Sequence, residues 1–236
     1  RAHPPIEMMA SGDWLVPRLN GLPFFHKPPL FYWLTALAMG VGGVHEWMAR
    51  AASAAAAALA VVAMVRLTLL WCGPQLAKCV AFVMLLQPLW LLGAQFANLD
   101  MLVAALISVT VVLLAHAALL QMHGERYRAV LLLAYACAGL GVLAKGLIGV
   151  VLPALVIGLW LLSMRRWRTV LALLSPWGVL LFVAVAAPWF LLLQAQYGDF
   201  LHYFFVVQHF QRFASGGFNN VEPGWFYPLV LAVMGL

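Results

Sequence analysis

The chain has 236 residues, of which 66% are hydrophobic and 8% charged, against about 45–50% and about 25% in an ordinary soluble domain. A water-soluble core of this size cannot absorb so much apolar surface, so lipid is the solvent for much of the chain. The net charge of +6 points to nucleic acid only if the basic residues share a solvated face; here they sit between apolar runs, and a nucleic-acid partner is excluded.

In chain order, residues 1–50 read as a first outer loop with an interfacial helix, 51–194 as a transmembrane bundle, 195–225 as a second outer segment and 226–236 as the start of a further membrane helix. The expected fold class is all-α, a polytopic membrane helix bundle. Six complete spans are expected near 51–71, 77–95, 100–120, 129–144, 147–163 and 170–194, because each apolar run approaches the length that crosses about 30 Å of hydrocarbon. The chain starts at Arg1 without a methionine and stops at Met234-Gly235-Leu236 within an apolar run, so a fragment of a longer protein is expected. Segment 30–45 is apolar and aromatic but short, and holds Gly40, Gly42 and Gly43, which suits a helix lying in the interface. The small residues at 51–58 form a surface on which a neighbouring helix can approach closely. Cys72, Cys79 and Cys137 lie in or beside spans without metal-type spacing and read as packing residues.

Orientation follows from loop charge. Lys78, Arg126, Arg128, Arg165, Arg166 and Arg168 fall on one side with a single acid, Glu125; cytoplasmic loops are enriched in Lys and Arg, so this side is expected to face the cytoplasm. Crossing parity then collects Glu7, Asp13, Glu46, Asp100, Asp199 and Glu222 on the opposite face, with His26, Lys27, Lys145 and Arg212. Ionisable groups held at a membrane boundary often mark a site. Wet helix ends also carry charge without chemistry, so the local sequences have to decide.

The run from Ser11-Gly12-Asp13-Trp14 through Pro17-Arg18-Leu19-Asn20-Gly21 to His26-Lys27-Pro28-Pro29-Leu30, then Tyr32-Trp33, is polar and aromatic. The consecutive prolines Pro28 and Pro29 are expected to hold Lys27 on extended backbone at headgroup depth, where an ammonium can meet a lipid phosphate. This run resembles the first outer loop of the GT-C glycosyltransferases typified by the lipid A aminoarabinose transferase and, more distantly, the protein O-mannosyltransferases. The resemblance continues through Asn98-Leu99-Asp100-Met101, Leu143-Ala144-Lys145-Gly146, Pro188-Trp189-Phe190, Phe204-Phe205 with His209-Phe210-Gln211-Arg212-Phe213, and Pro223-Gly224-Trp225-Phe226-Tyr227.

The resemblance implies inverting transfer of a sugar from a polyprenyl (undecaprenyl) phosphate to a lipid A-like, glycan or protein acceptor on the periplasmic face of a bacterial inner membrane. When the anomeric carbon leaves its phosphate, negative charge grows on the departing group, so preplaced cations stabilise the transition state. Lys27, Lys145 and Arg212 are the candidate phosphate-binding residues, with Arg212 suited to a bidentate contact. Lys27 and Asp100 are the candidate catalytic residues. Asp100 opens a membrane helix, where a carboxylate also suits the helix N-terminus, and Lys145 at a helix end can also cap carbonyls.

The sequence departs from the family in two places. The acidic pair that the family places just before position 1 lies outside the chain, and His26 and Gln208 stand where the lipid A enzymes carry Glu. His26 and His209 could still supply two imidazoles to a divalent metal such as zinc, although two ligands do not make a site. Two other classes compete: a secondary transporter or flippase, and a non-catalytic relative that binds polyprenyl phosphate.

Overall fold

The computed structural model describes residues 3–211 and 223–234. Helix α1 (His3–Ser11) carries Pro4 and Pro5 in its first turn, where a missing N–H leaves no bond unmade, and it ends at Gly12 with φ 72°. Strands β1 (Arg18–Leu19) and β2 (Leu22–Pro23) pair antiparallel around Asn20 and Gly21, at φ 54° and 76°. Two left-handed central residues make a type I′ hairpin, the turn that Asn-Gly favours. Both turn N–H groups donate to Glu7, at 2.7 Å from Asn20 and 3.0 Å from Gly21. Residues 3–29 thus form a folded cap.

Helix α2 (Leu30–Gly42) is too short to cross the bilayer, and it buries Phe31, Tyr32, Thr35 and Met39. Pro29 already has helical dihedrals, φ −84° and ψ −15°, and its carbonyl accepts from Trp33 N. The second proline therefore starts the helix instead of prolonging an extended stretch.

The bundle follows as α3 (Glu46–Cys72), α4 (Pro74–Leu86), α5 (Pro88–Gln95), α6 (Leu99–Met122), α7 (Arg128–Lys145), α8 (Ile148–Ser163), α9 (Trp167–Leu173) and α10 (Pro176–Gln196). A π-helical segment (His202–Gln211) and α11 (Phe226–Met234) complete the described elements. The protein is a polytopic membrane helix bundle in which α3, α6, α7 and α10 are each long and apolar enough to span.

Three expected spans differ. The one at 77–95 is two helices bent by 59°, because Pro88 lacks a donor and holds Gln87 extended at ψ 119°. The one at 170–194 divides for the same reason: Ser175 before Pro176 is extended, and its hydroxyl caps Gly178 N at 3.3 Å, so α9 and α10 are separate. Helix α8 has 16 residues, about 24 Å, short of the hydrocarbon thickness. By length the described residues hold four spans, or five with the bent pair, rather than six. Helix α3 also starts at Glu46 rather than 51, with Arg50 paired to Glu46 at 3.3 Å one turn on.

Small residues set the closest approaches. Ala52, Ser53, Ala56 and Ala60 are buried on α3. A Cβ on Gly149 would lie 2.3 Å from the Gly141 carbonyl carbon, so α7 and α8 touch backbone to backbone. One apolar core joins the cap to the bundle through Met8, Phe31, Leu99, Leu143, Trp189 and Phe204, and a second, around Ala117, Leu131 and Leu161, fills the opposite end.

Candidate active site

The site is built where α6 begins and α7 ends. Asn98 is extended, at φ −122°, and its side chain accepts from Asp100 N at 3.0 Å, so Asn98 caps α6. Its own backbone is fixed to α3: Asn98 N donates to Ser53 Oγ, and that hydroxyl donates to Asn98 O, both at 3.1 Å. Ser53 is fully buried. With capping supplied by Asn98, the Asp100 carboxylate is released from that duty, and its Oδ1 accepts from Lys145 Nζ.

Lys145 is the last residue of α7. Gly146, at φ 90°, ends the helix and returns its N–H to Val142 O, so the lysine is not needed as a carbonyl cap. About half of the Asp100 side chain and a third of Lys145 remain exposed. The pair is therefore in contact with whatever enters from that end, while its flanking residues Leu99, Leu143 and Ala144 are buried in the shared core.

The cap covers the same end. Asp13 Oδ1 accepts from the N–H groups of Leu15 and Val16 at 3.1 Å, and its Oδ2 faces Arg18 at 3.4 Å. Desolvation pushes the Asp13 carboxyl up, but the Val16 and Leu15 N–H groups and the Arg18 guanidinium together outweigh it and hold the group below its ordinary value. Trp189 Nε1 on α10 donates to Leu15 O at 2.9 Å, and Trp33 Nε1 on α2 donates to Trp14 O at 2.7 Å. Two indole N–H groups from different helices thus clamp the strand of chain that leads to Lys27.

Lys27 follows this clamped stretch and is half-buried, with Pro28 and Pro29 fully buried behind it. Phe25 packs edge-on against Tyr197 and Phe200. His26 stacks on Phe24, and its Nδ1 lies 3.4 Å from the Gln208 amide, which also donates to Tyr203 Oη at 2.7 Å. The two positions that depart from the family pattern, 26 and 208, therefore meet each other.

Asp100 and Lys145 are brought into direct contact, and Lys27 and His26 lie in the cap that closes over the same core. Arg212 and the side chain of His209 lie outside the described residues. No group of three or more His, Cys, Asp or Glu side chains gathers among the described residues, and the contacts of His26 there include the Gln208 amide and the Tyr203 ring. A metal on His26 would need ligands from beyond residue 208. Sequence reasoning missed Asn98 as the cap of α6, although Asn two residues before Asp100 was its signal. The partners of Glu7, Ser53 and Trp189 had no local signal, although Trp189 stands in the Pro188-Trp189-Phe190 segment, since each acts on a group distant in sequence.

A family model described as dolichyl-phosphate-mannose-protein mannosyltransferase matches residues 5–204. The chain is 35% identical over 235 residues to undecaprenyl phosphate-alpha-4-amino-4-deoxy-L-arabinose arabinosyl transferase 1 of Sodalis glossinidius, covering 98% of this chain and 41% of that protein. It is 35% identical over 229 residues to the corresponding transferase of Pseudomonas aeruginosa, covering 96% and 41%. Among solved structures it is similar to ArnT from Cupriavidus metallidurans bound to undecaprenyl phosphate, with a TM-score of 0.87 and 32% identity over 99% of this chain and 42% of that one. The chain thus spans about two-fifths of the length of these relatives, and with the greater part of it inside the family model it belongs to the dolichyl-phosphate-mannose-protein mannosyltransferase family, with the GT-C architecture of ArnT.

Proposed function

We propose that this chain is the site-bearing part of a glycosyltransferase that moves a sugar from an undecaprenyl phosphate-type donor to a lipid A-like acceptor, or to a glycan or protein, on the periplasmic side of a bacterial inner membrane. The observation that carries the reading is the Asp100–Lys145 ion pair, held half-open to solvent under a folded cap that bears Lys27. The relatives named for undecaprenyl phosphate chemistry supply the donor class.

An ammonium has three donors. Lys145 uses one on Asp100 and keeps two for a phosphate oxygen, while Asp100 holds the ammonium in place and offers its second oxygen to the acceptor or to a cationic sugar. Lys27, and Arg212 as the bidentate partner, add positive charge where the phosphate leaves, which lowers the barrier because that charge develops only in the transition state. A hydroxyl acceptor would need Asp100 or an acid from elsewhere in the protein as base; a phosphate acceptor is already a nucleophile. A divalent metal at His26 and His209 is not needed for any of these steps.

The transporter reading draws no support from the broken span. Between Lys78 and Asp100 the sequence holds no ionisable Asp, Glu, Lys, Arg or His, so the bend at Gln87 and Pro88 offers no charge to a coupled ion, where transporters place their sites.

The test is a mass-spectrometric comparison of lipid A, glycans and glycoproteins from wild-type and deletion cells, followed by transfer with the full-length protein and an undecaprenyl phosphate-linked sugar. Loss of one sugar mass from one acceptor class is expected. Identical products in every class, together with donor binding without turnover, would leave a non-catalytic lipid-phosphate-binding protein instead.

A further inference from the structure

The end of the bundle opposite the Asp100–Lys145 pair carries a second arrangement of charge that the transfer reaction does not use. Helix α8 ends in a tight turn at Met164 and Arg165, where Arg165 takes φ 56° and Arg165 N and Arg166 N return to Leu162 O and Leu161 O at 2.9 Å. This reversal folds α9 back against α6, and Thr169, buried at its centre, donates its hydroxyl to Gln121 Oε1 at 2.8 Å. The result is a cavity of about 430 Å³ lined by Gln121, Arg165, Arg166, Arg168 and Thr169, with no acid in its wall. All three arginines are exposed, and among the described residues none forms an ion pair.

The residues that follow, in α9 and just beyond its end, line a different space. Val170, Leu173 and Leu174 close one side of an apolar groove of about 160 Å³, whose other walls come from Leu114, Tyr135 and Ile157 on α6, α7 and α8. Along α8 the groove runs from Val150 to Leu161, about 16 Å of helix, and Arg165 lies four residues further, about 6 Å on. Ala154 and Leu174 in its wall are exposed, so it opens toward the lipid side of the bundle. Trp167 and Trp177 are also exposed there, as indoles at headgroup depth are.

A cationic, acid-free pocket at headgroup depth that continues into an apolar groove of the same leaflet is complementary to one kind of molecule. We propose that this cavity and groove form a binding site for an anionic phospholipid of the cytoplasmic leaflet, with the phosphate of the headgroup among Arg165, Arg166 and Arg168 and one acyl chain between α6, α7, α8 and α9. Anionic lipids are enriched on that side, and each arginine near such a surface contributes about a fivefold preference. The assignment of this side as cytoplasmic rests on the orientation proposed above; the lipid preference does not depend on whether the other end transfers sugar.

The experiment uses the full-length protein in nanodiscs of equal parts dioleoylphosphatidylglycerol and dioleoylphosphatidylcholine, transferred to detergent, with the retained lipid identified by native mass spectrometry. Wild type is expected to retain phosphatidylglycerol in preference. Arg165→Gln, Arg166→Gln and Arg168→Gln combined should lower that preference at least about fivefold. Gly158→Phe keeps every charge; a Cβ there meets open space in the groove wall, and the larger ring should displace the acyl chain and lower retention in the same assay. Equal retention of the two lipids by wild type would overturn the proposal, as would full retention in Gly158→Phe. Release of the lipid by inorganic phosphate alone would also overturn it, by making the pocket a free-anion site.

Discussion

Lys145, the last residue of α7, donates to Asp100, the second residue of α6, across 45 positions of sequence. The pair explains why a carboxylate can stand at that helix start without serving as its cap. Asn98 already accepts from Asp100 N, so Asp100→Asn should leave the melting temperature within a few degrees of wild type, since a half-exposed ion pair contributes only about 0–1 kcal/mol. Turnover should fall at least about tenfold, because Asn supplies neither charge nor a proton acceptor. Lys145→Met should lose a comparable factor, and the double variant should lose less than the product of the two. A double variant whose loss equals the product would show two independent residues.

Removal of the proposed phosphate cations should act on rate rather than on folding. Lys27→Ala and Arg212→Ala should each cost about 2–4 kcal/mol of transition-state stabilisation, or about 30- to 1000-fold in turnover. Steady-state kinetics on the full-length variants, with far-UV circular dichroism as the folding check, reads this directly. Wild-type turnover in either variant removes that residue from the donor site.

The clamp on the cap is testable through a donor with no chemical role. Trp189 is buried and its indole N–H is bonded to Leu15 O, so Trp189→Phe leaves a carbonyl short of a partner and a gap beside it, a loss of about 1–3 kcal/mol. Limited proteolysis should cut residues 12–29 faster than in wild type. An unchanged cleavage rate there would mean that the cap is held by its apolar contacts alone.

Asp13 gives the cap a pH dependence of known sign. Its carboxyl is held below the ordinary value in the folded protein, so the stability it contributes is fully present above the unfolded carboxylate pKa and is lost as pH falls through the folded one. The cap of the wild-type protein should become protease-sensitive on the acid side of about pH 4. Asp13→Asn, which still accepts from Leu15 N and Val16 N but does not titrate, should flatten that acid limb. An identical acid limb in both proteins assigns the loss to other groups.

Orientation can be read with a membrane-impermeant thiol reagent on whole cells, after the native cysteines are replaced. Single cysteines at Asn98 and Gly216 should label from outside, and those at Gly124 and Arg166 only after the membrane is opened. Equal labelling of the two sets would remove the shared face on which the proposed site depends.

The membrane bundle, its charge asymmetry and the names of the candidate residues were all present in the sequence alone, because each is a one-dimensional property. Hydropathy over twenty residues reports the solvent of a helix, Lys and Arg in short loops report its direction, and short segments such as 98–101 and 143–146 carry residue types that phosphate chemistry needs. Local turn chemistry is legible too: at Pro88 and Pro176 a proline inside an apolar run ends a helix that hydropathy alone would continue. Tertiary structure alone decided which charges meet. That Lys145 pairs with Asp100, that Ser53 anchors Asn98, and that Trp189 reaches Leu15 over 174 positions depend on helix packing. Packing is set by side-chain volume at contacts such as Gly141 on Gly149, which no pattern along a single segment encodes.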